Sequence, residues 1–271
     1  MMIETNQTSY QYQVLLPFEE SYSHSAAKKW MEENWHTSFY YSIAYVMIIF
    51  SIKYLMTNSK PYSLSKLLLI WNTALAIFSI TAFIRTVPEF VFSLNQGTYY
   101  AVCSSDFLTE NKVSSLWTFL FVLSKLPEFG DTIFIVLRKQ PLIFLHWYHH
   151  ILTLIYSWYS FKEFTSSARA FVVMNTFIHS MMYSYYAFKA MKIRIPRFIS
   201  VIITFLQICQ MAVGCYVNYK VFEYIFSKDL PCGTSQTNVI VSSVMYFSYF
   251  YLFARFFYLS YLGKKQKSKR T

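Results

Sequence analysis

Hydrophobic positions fall into seven long runs separated by short polar stretches, near residues 37–56, 66–86, 114–137, 142–159, 169–189, 198–226 and 237–261. At 1.5 Å per helical residue, a run of about 20 residues covers the ~30 Å of a bilayer's hydrocarbon core. Glycine is sparse, at five residues, which argues against a loop-rich β architecture, and no internal repeat is visible. The third and sixth runs are interrupted by charged or polar residues. The pattern predicts an all-α polytopic membrane protein of seven transmembrane helices. Its organisation would be a polar lead over 1–35, a seven-span domain over 36–262 and a basic tail over 263–271. A short amphipathic helix is expected around Ser25–Trp35, and the polar first 30 residues offer no cleavable signal peptide.

Composition supports this reading. Hydrophobic residues make up 55% of the 271, whereas charged residues make up only 14%, against about 25% in a soluble domain. The net charge of +11 does not indicate nucleic acid, because the basic residues cluster between the apolar runs. Fourteen of the 24 Lys and Arg lie in the loops after the first, third and fifth runs and in the tail. The positive-inside rule then places those loops and the C-terminus in the cytosol. An odd number of spans puts the N-terminus in the lumen, where Asn6 heads the chain's only glycosylation sequon. Cys103 and Cys232 fall in loops on that oxidising side, so a Cys103–Cys232 disulfide is expected, the alternative being two free thiols. The Lys-rich end, Lys267-Ser-Lys269-Arg-Thr271, resembles a retrieval signal, and with the sequon and cysteines it points to the endoplasmic reticulum membrane.

The chemistry sits on the polar interruptions. Three of the six histidines form His146-x-x-His149-His150 in the fourth run, where i, i+3 and i+4 share one helix face. Rings buried there are costly unless they line a polar cavity. The third run carries Lys125, Glu128 and Asp131 on one slowly drifting stripe, with Pro127 and Gly130 expected to bend or loosen it. A purely structural Lys–carboxylate network is the alternative for that stripe. In the fifth run Asn175, His179 and Tyr183 step by four, and in the sixth Thr204, Gln207 and Gln210 step by three. The glutamines could equally be interhelical glue. Rise per residue puts all these groups at one depth, in the cytosolic half. That level predicts a polar chamber open to the cytosol beneath an aromatic and aliphatic tunnel, suited to an amphiphile with a polar head and an alkyl tail.

These four motifs, in this order, resemble the very-long-chain fatty acid elongases, over residue 30 to the end. The Trp-Tyr filling of the histidine box is similar to the subgroup that extends saturated and monounsaturated acyl-CoAs. The resemblance implies a 3-oxoacyl-CoA synthase that condenses a long-chain acyl-CoA with malonyl-CoA, with no cofactor beyond that co-substrate and no metal. By resemblance His149 would carry the acyl group, His179 would contact the second substrate, and His146 and His150 would orient and donate. Lys125, Glu128 and Asp131 would set ring protonation; Asn175, Tyr183, Gln207 and Gln210 would support and position. The expected partners are the bilayer, the ketoreductase, dehydratase and enoyl reductase of the elongation cycle, and a second copy in a homo-oligomer. A metal-dependent desaturase or hydroxylase also uses His-x-x-His-His, but with about eight histidines. A receptor or transporter would explain the spans and not the converging ionisable groups.

Overall fold

A computed structural model of the chain describes residues 9–263. The Asn6 sequon and the tail from Lys264 lie outside the described residues. Twelve α-helices follow in order: α1 (Pro17–Glu20), α2 (His24–Asn34), α3 (Thr37–Leu55), α4 (Ser65–Asn95), α5 (Thr98–Cys103), α6 (Asp106–Thr109), α7 (Lys112–Ser124), α8 (Phe129–Leu137), α9 (Phe144–Lys162), α10 (Ala168–Ala190), α11 (Arg197–Phe222) and α12 (Gln236–Phe257). Wider π turns continue α11 over Glu223–Ser227 and α12 over Tyr258–Leu262. No strand occurs among the described residues.

Four helical segments are long and apolar enough to cross a membrane, namely those beginning at Thr37, Ser65, Arg197 and Gln236. The chain is a multi-pass membrane protein. Of the remaining long segments, α7 and α8 are each too short to cross alone, and α9 and α10 carry many polar and ionisable side chains.

Two expectations need correction. The run at 114–137 is not one helix: it breaks into α7 and α8 across a turn at Lys125–Glu128. Pro127 supplies no N–H to the preceding turn, and this ends α7. The second run is also longer than 66–86, because α4 continues through Pro88 to Asn95. Buried Glu89, just past that proline, pairs with Arg169 of α10 at 3.1 Å, tying the extension to its neighbour.

Local chemistry fixes the helix ends. Side-chain caps start α2 (Ser23), α7 (Asn111) and α12 (Ser235), each accepting from the backbone N–H three residues on. With only five glycines in the chain, α8, α9 and α10 end in left-handed Lys139, Phe164 and Lys192 instead. Lys139 also donates to the carbonyls of Thr57 and Ser59, and Tyr62 N–H donates to Leu137 O, so those two loops meet at one end of the bundle.

At the other end Cys103 is disulfide-bonded to Cys232. Gly233 N–H donates to Cys103 O and Ser166 N–H to Gly233 O, so three loops are stitched together there. Between the two ends α4 packs along α10, α11 along α12, and α3 against α8 and α9. The residues of the lead close over the disulfide end: Met31 of α2 is fully buried, and Trp30 packs on Phe119 and Trp158.

Candidate active site

α9 presents His146, His149 and His150 on one face, as i, i+3, i+4 spacing requires. The His146 and His150 ring centroids lie 4.6 Å apart, and those of His149 and His150 lie 5.8 Å apart. Tyr249 of α12 flanks His149, 4.7 Å between centroids, and its hydroxyl donates to His149 O at 3.1 Å. Phe253 stands 6.0 Å away on the same α12 face. His149 Nδ1 and His146 Nε2 are buried and make no hydrogen bond to protein atoms among the described residues.

The break between α7 and α8 turns two acids toward different partners. Glu128 Oε1 accepts from Lys125 Nζ at 2.7 Å and from Ser124 Oγ at 3.2 Å, and lies 3.7 Å from His179 Nδ1. Lys125, buried over the Phe121 ring, also donates to Asn175 Oδ1 at 3.2 Å. Asp131 is engaged elsewhere, accepting from Trp71 Nε1 at 2.6 Å and Tyr183 Oη at 2.8 Å. Among the described residues its oxygens bond to no imidazole; these two bonds clamp α4, α8 and α10 together. Gly130 lies so close under Trp71 that a Cβ there would come within 2.7 Å of the indole.

These groups border two cavities. The larger, about 690 Å³, is faced by His146, His149, His150, His179, Glu128, Asp131, Tyr183 and Gln207. Arg138, Lys189 and Lys192 stand around it where the 138–143 and 191–196 loops lie. The smaller, about 70 Å³, is a narrow channel among α7, α9, α10, α11 and α12, with Leu108 and Phe161 among its walls. Among the described residues, His149 is the one side chain that borders both. Asn175 and Gln210 face the narrow channel rather than the chamber: each lies one turn from a chamber residue, His179 on α10 and Gln207 on α11. Nor is the channel purely apolar, since Thr153, Tyr156 and Ser160 line it with their hydroxyls bonded to neighbouring groups.

Sequence reasoning missed Trp71, Tyr249 and Phe253. Ser242, Tyr246, Tyr249 and Phe253 recur at helical spacing on one face of α12, a pattern that marks the face turned inward. Trp71-Asn72 is one of several polar interruptions of α4, with Arg85 and Glu89 further along.

Comparison with known proteins fits this geometry. A profile of the GNS1/SUR4 (ELO) family matches residues 30–269. The chain belongs to that family. It is 51% identical over 96% of its length to the very long chain fatty acid elongase 6 of Drosophila melanogaster, covering 83% of that protein. It is 45% identical to the elongase 6 of Gallus gallus and 44% to that of Homo sapiens, each over 94% of this chain and 95% of the relative. Among the described residues no three His, Cys, Asp or Glu side chains are grouped to hold a metal, and none of these relatives is named a desaturase.

Proposed function

We propose that this family member is a fatty acid elongase acting as a 3-oxoacyl-CoA synthase, lengthening a long-chain acyl-CoA by two carbons from malonyl-CoA. The observation that carries the reading is the position of His149 between a wide polar chamber and a narrow channel. A thioester carbonyl at that ring would have its CoA portion in the chamber, near Arg138, Lys189 and Lys192, and its alkyl tail in the channel.

The chemistry is a two-stage transfer. Neutral His149 attacks the acyl thioester: a C–N bond forms, the C–S bond breaks, and CoA leaves as thiolate to take a proton from solvent. Malonyl-CoA then loses carbon dioxide, and the electron pair of the broken C–C bond becomes an enolate. The enolate carbon attacks the acyl carbonyl, the C–N bond breaks, and His149 returns as neutral imidazole. His179, bordering the same chamber, serves the malonyl-derived partner, while His146 and His150 orient and donate. No cofactor beyond malonyl-CoA is required by this scheme.

The cell-level reading follows the charge pattern and the chain's loops. Residues 36–262 form one unit of seven spans, with α7 and α8 together making the third. The C-terminus lies in the cytosol, the lead and the disulfide lie in the lumen of the endoplasmic reticulum, and the Asn6 sequon is the proposed glycosylation site. The reductases and dehydratase of the cycle, and a second copy of the chain, are the proposed protein partners.

The test is incubation of microsomes containing the protein with labelled malonyl-CoA and a panel of acyl-CoAs. Products two carbons longer than the primer are expected, and a His149→Ala protein that condenses at the wild-type rate overturns the acyl-carrier assignment.

A further inference from the structure

Two kinds of imidazole face the chamber. His146, His149 and His150 have aromatic neighbours and one another, and no carboxylate lies within ion-pair distance of them among the described residues. His179 alone stands within ion-pair reach of an acid, Glu128, at 3.7 Å. The other chamber carboxylate cannot serve it, because both Asp131 oxygens are taken by Trp71 and Tyr183. Glu128 is itself fixed from behind by Lys125 and Ser124, and is almost wholly buried.

The arrangement repeats on two rungs of α10. Asn175 and His179 are one helical turn apart on a single face, and Lys125 reaches the first while Glu128 reaches the second. An ion pair held at both ends in this way cannot swing toward the α9 histidines without losing a hydrogen bond. The geometry therefore assigns Glu128 as a positioning residue for His179, setting that ring apart from His149. This role rests on the two-stage scheme and deepens it.

A carboxylate facing Nδ1 fixes the ring plane and turns Nε2 to the chamber. With Nδ1 facing the acid, a proton taken from solvent at Nε2 gives His179 an N–H aimed at the oxygen where negative charge gathers when malonyl-CoA loses carbon dioxide. His149, with no acid behind it, keeps a free nitrogen lone pair for the acyl carbonyl. The carboxylate neither forms nor breaks a bond with substrate. Its effect passes through His179 and belongs to the second half-reaction.

The experiment separates the two half-reactions in the purified protein. CoA released from acyl-CoA without malonyl-CoA reports acyl transfer; 3-oxoacyl-CoA formed after malonyl-CoA is added reports condensation. Glu128→Gln is expected to slow condensation by roughly 10²-fold, the size of one preorganised donor, with a much smaller effect on acyl transfer and on the KM for acyl-CoA. In a His179→Gln background the same substitution should cost less than about twofold more, since residues acting as a unit are non-additive. Equal losses in both half-reactions, or a full additional loss on top of His179→Gln, would make Glu128 a structural residue only and overturn the assignment. Should Glu128→Gln not fold, Glu128→Asp keeps the charge opposite Lys125 while drawing the carboxylate back from His179. A condensation-selective loss in that variant supports the positioning role, and equal losses in both half-reactions overturn it. A wild-type protein that releases no CoA until malonyl-CoA is present defeats the two-stage scheme instead. The Glu128–His179 non-additivity in overall turnover then still tests the positioning role.

Discussion

Glu19, in the lead, has no exposed surface and spends both its oxygens on neighbours. Arg85 of α4 donates to it twice, at 2.8 and 2.6 Å, Trp117 of α7 donates at 2.8 Å, and the Leu16 N–H donates at 2.9 Å. Burial pushes its carboxyl pKa up, but these donors outweigh that and hold it below the ordinary carboxylate value. A depressed folded-state pKa means the stabilisation is fully present above the unfolded value and disappears as pH falls through the folded one. Thermal unfolding followed by tryptophan fluorescence from about pH 7 down to about pH 3 should therefore show an acid-side loss of stability that Glu19→Gln lacks. At neutral pH that substitution strands Arg85, only partly exposed, and should cost about 3 kcal/mol. His149 belongs to this scale too. His149→Ala removes a group bordering both cavities, and product should fall to background while Tm changes by no more than about 4 °C, since among the described residues the ring makes no hydrogen bond at Nδ1.

At the scale of elements, the α7–α8 break governs what the site can do. A continuous helix would keep Lys125, Glu128 and Asp131 on one drifting stripe; the turn instead sends Glu128 toward His179 and Asp131 toward Trp71 and Tyr183. The Trp71–Asp131 contact depends on Gly130, since any Cβ there collides with the indole. Gly130→Ala is expected to destabilise the protein by about 1–3 kcal/mol, the usual cost of overpacking. Trp71 fluorescence should shift as the ring is displaced, and the loss should be shared by every acyl-CoA primer. Denaturation curves and the emission maximum check both. An unchanged emission maximum would mean that the indole accommodates the methyl where it stands.

For the molecule as a whole, the far end is closed by a disulfide and by a buried ion pair between α4 and α10. The disulfide joins residues 129 apart in sequence, and buried Arg169 holds Glu89 and the carbonyls of Tyr100 and Ala101 beside it. Crosslinking a loop of this length contributes about 4–5 kcal/mol in the chain-entropy account. Cys103→Ser with Cys232→Ser should lower the unfolding temperature by several degrees, read in detergent by differential scanning fluorimetry. Leu108, fully buried on the disulfide-tethered segment, walls the narrow channel. The same double variant should therefore lose more activity with the longest primers it accepts than with the shortest.

Much of this protein is legible along the chain because hydrophobic run length and side-chain spacing are local properties. The helical class, the shared face of His146, His149 and His150, and the i, i+4 alignment of Asn175, His179 and Tyr183 all follow from 3.6 residues per turn. The position of the helix break was foreshadowed by Pro127 and Gly130, but its extent was not. What each acid bonds to depends on how α8 is rotated against α4 and α10, and rotation is decided by packing between elements distant in sequence. The same holds for Tyr249 against His149, for the two-sided exposure of His149, and for the side on which Asn175 and Gln210 emerge. Sequence by itself determined which residues could meet at one depth of a helical membrane protein; tertiary packing alone decided which did, because a partner's identity is set by interhelical rotation that no single helix encodes.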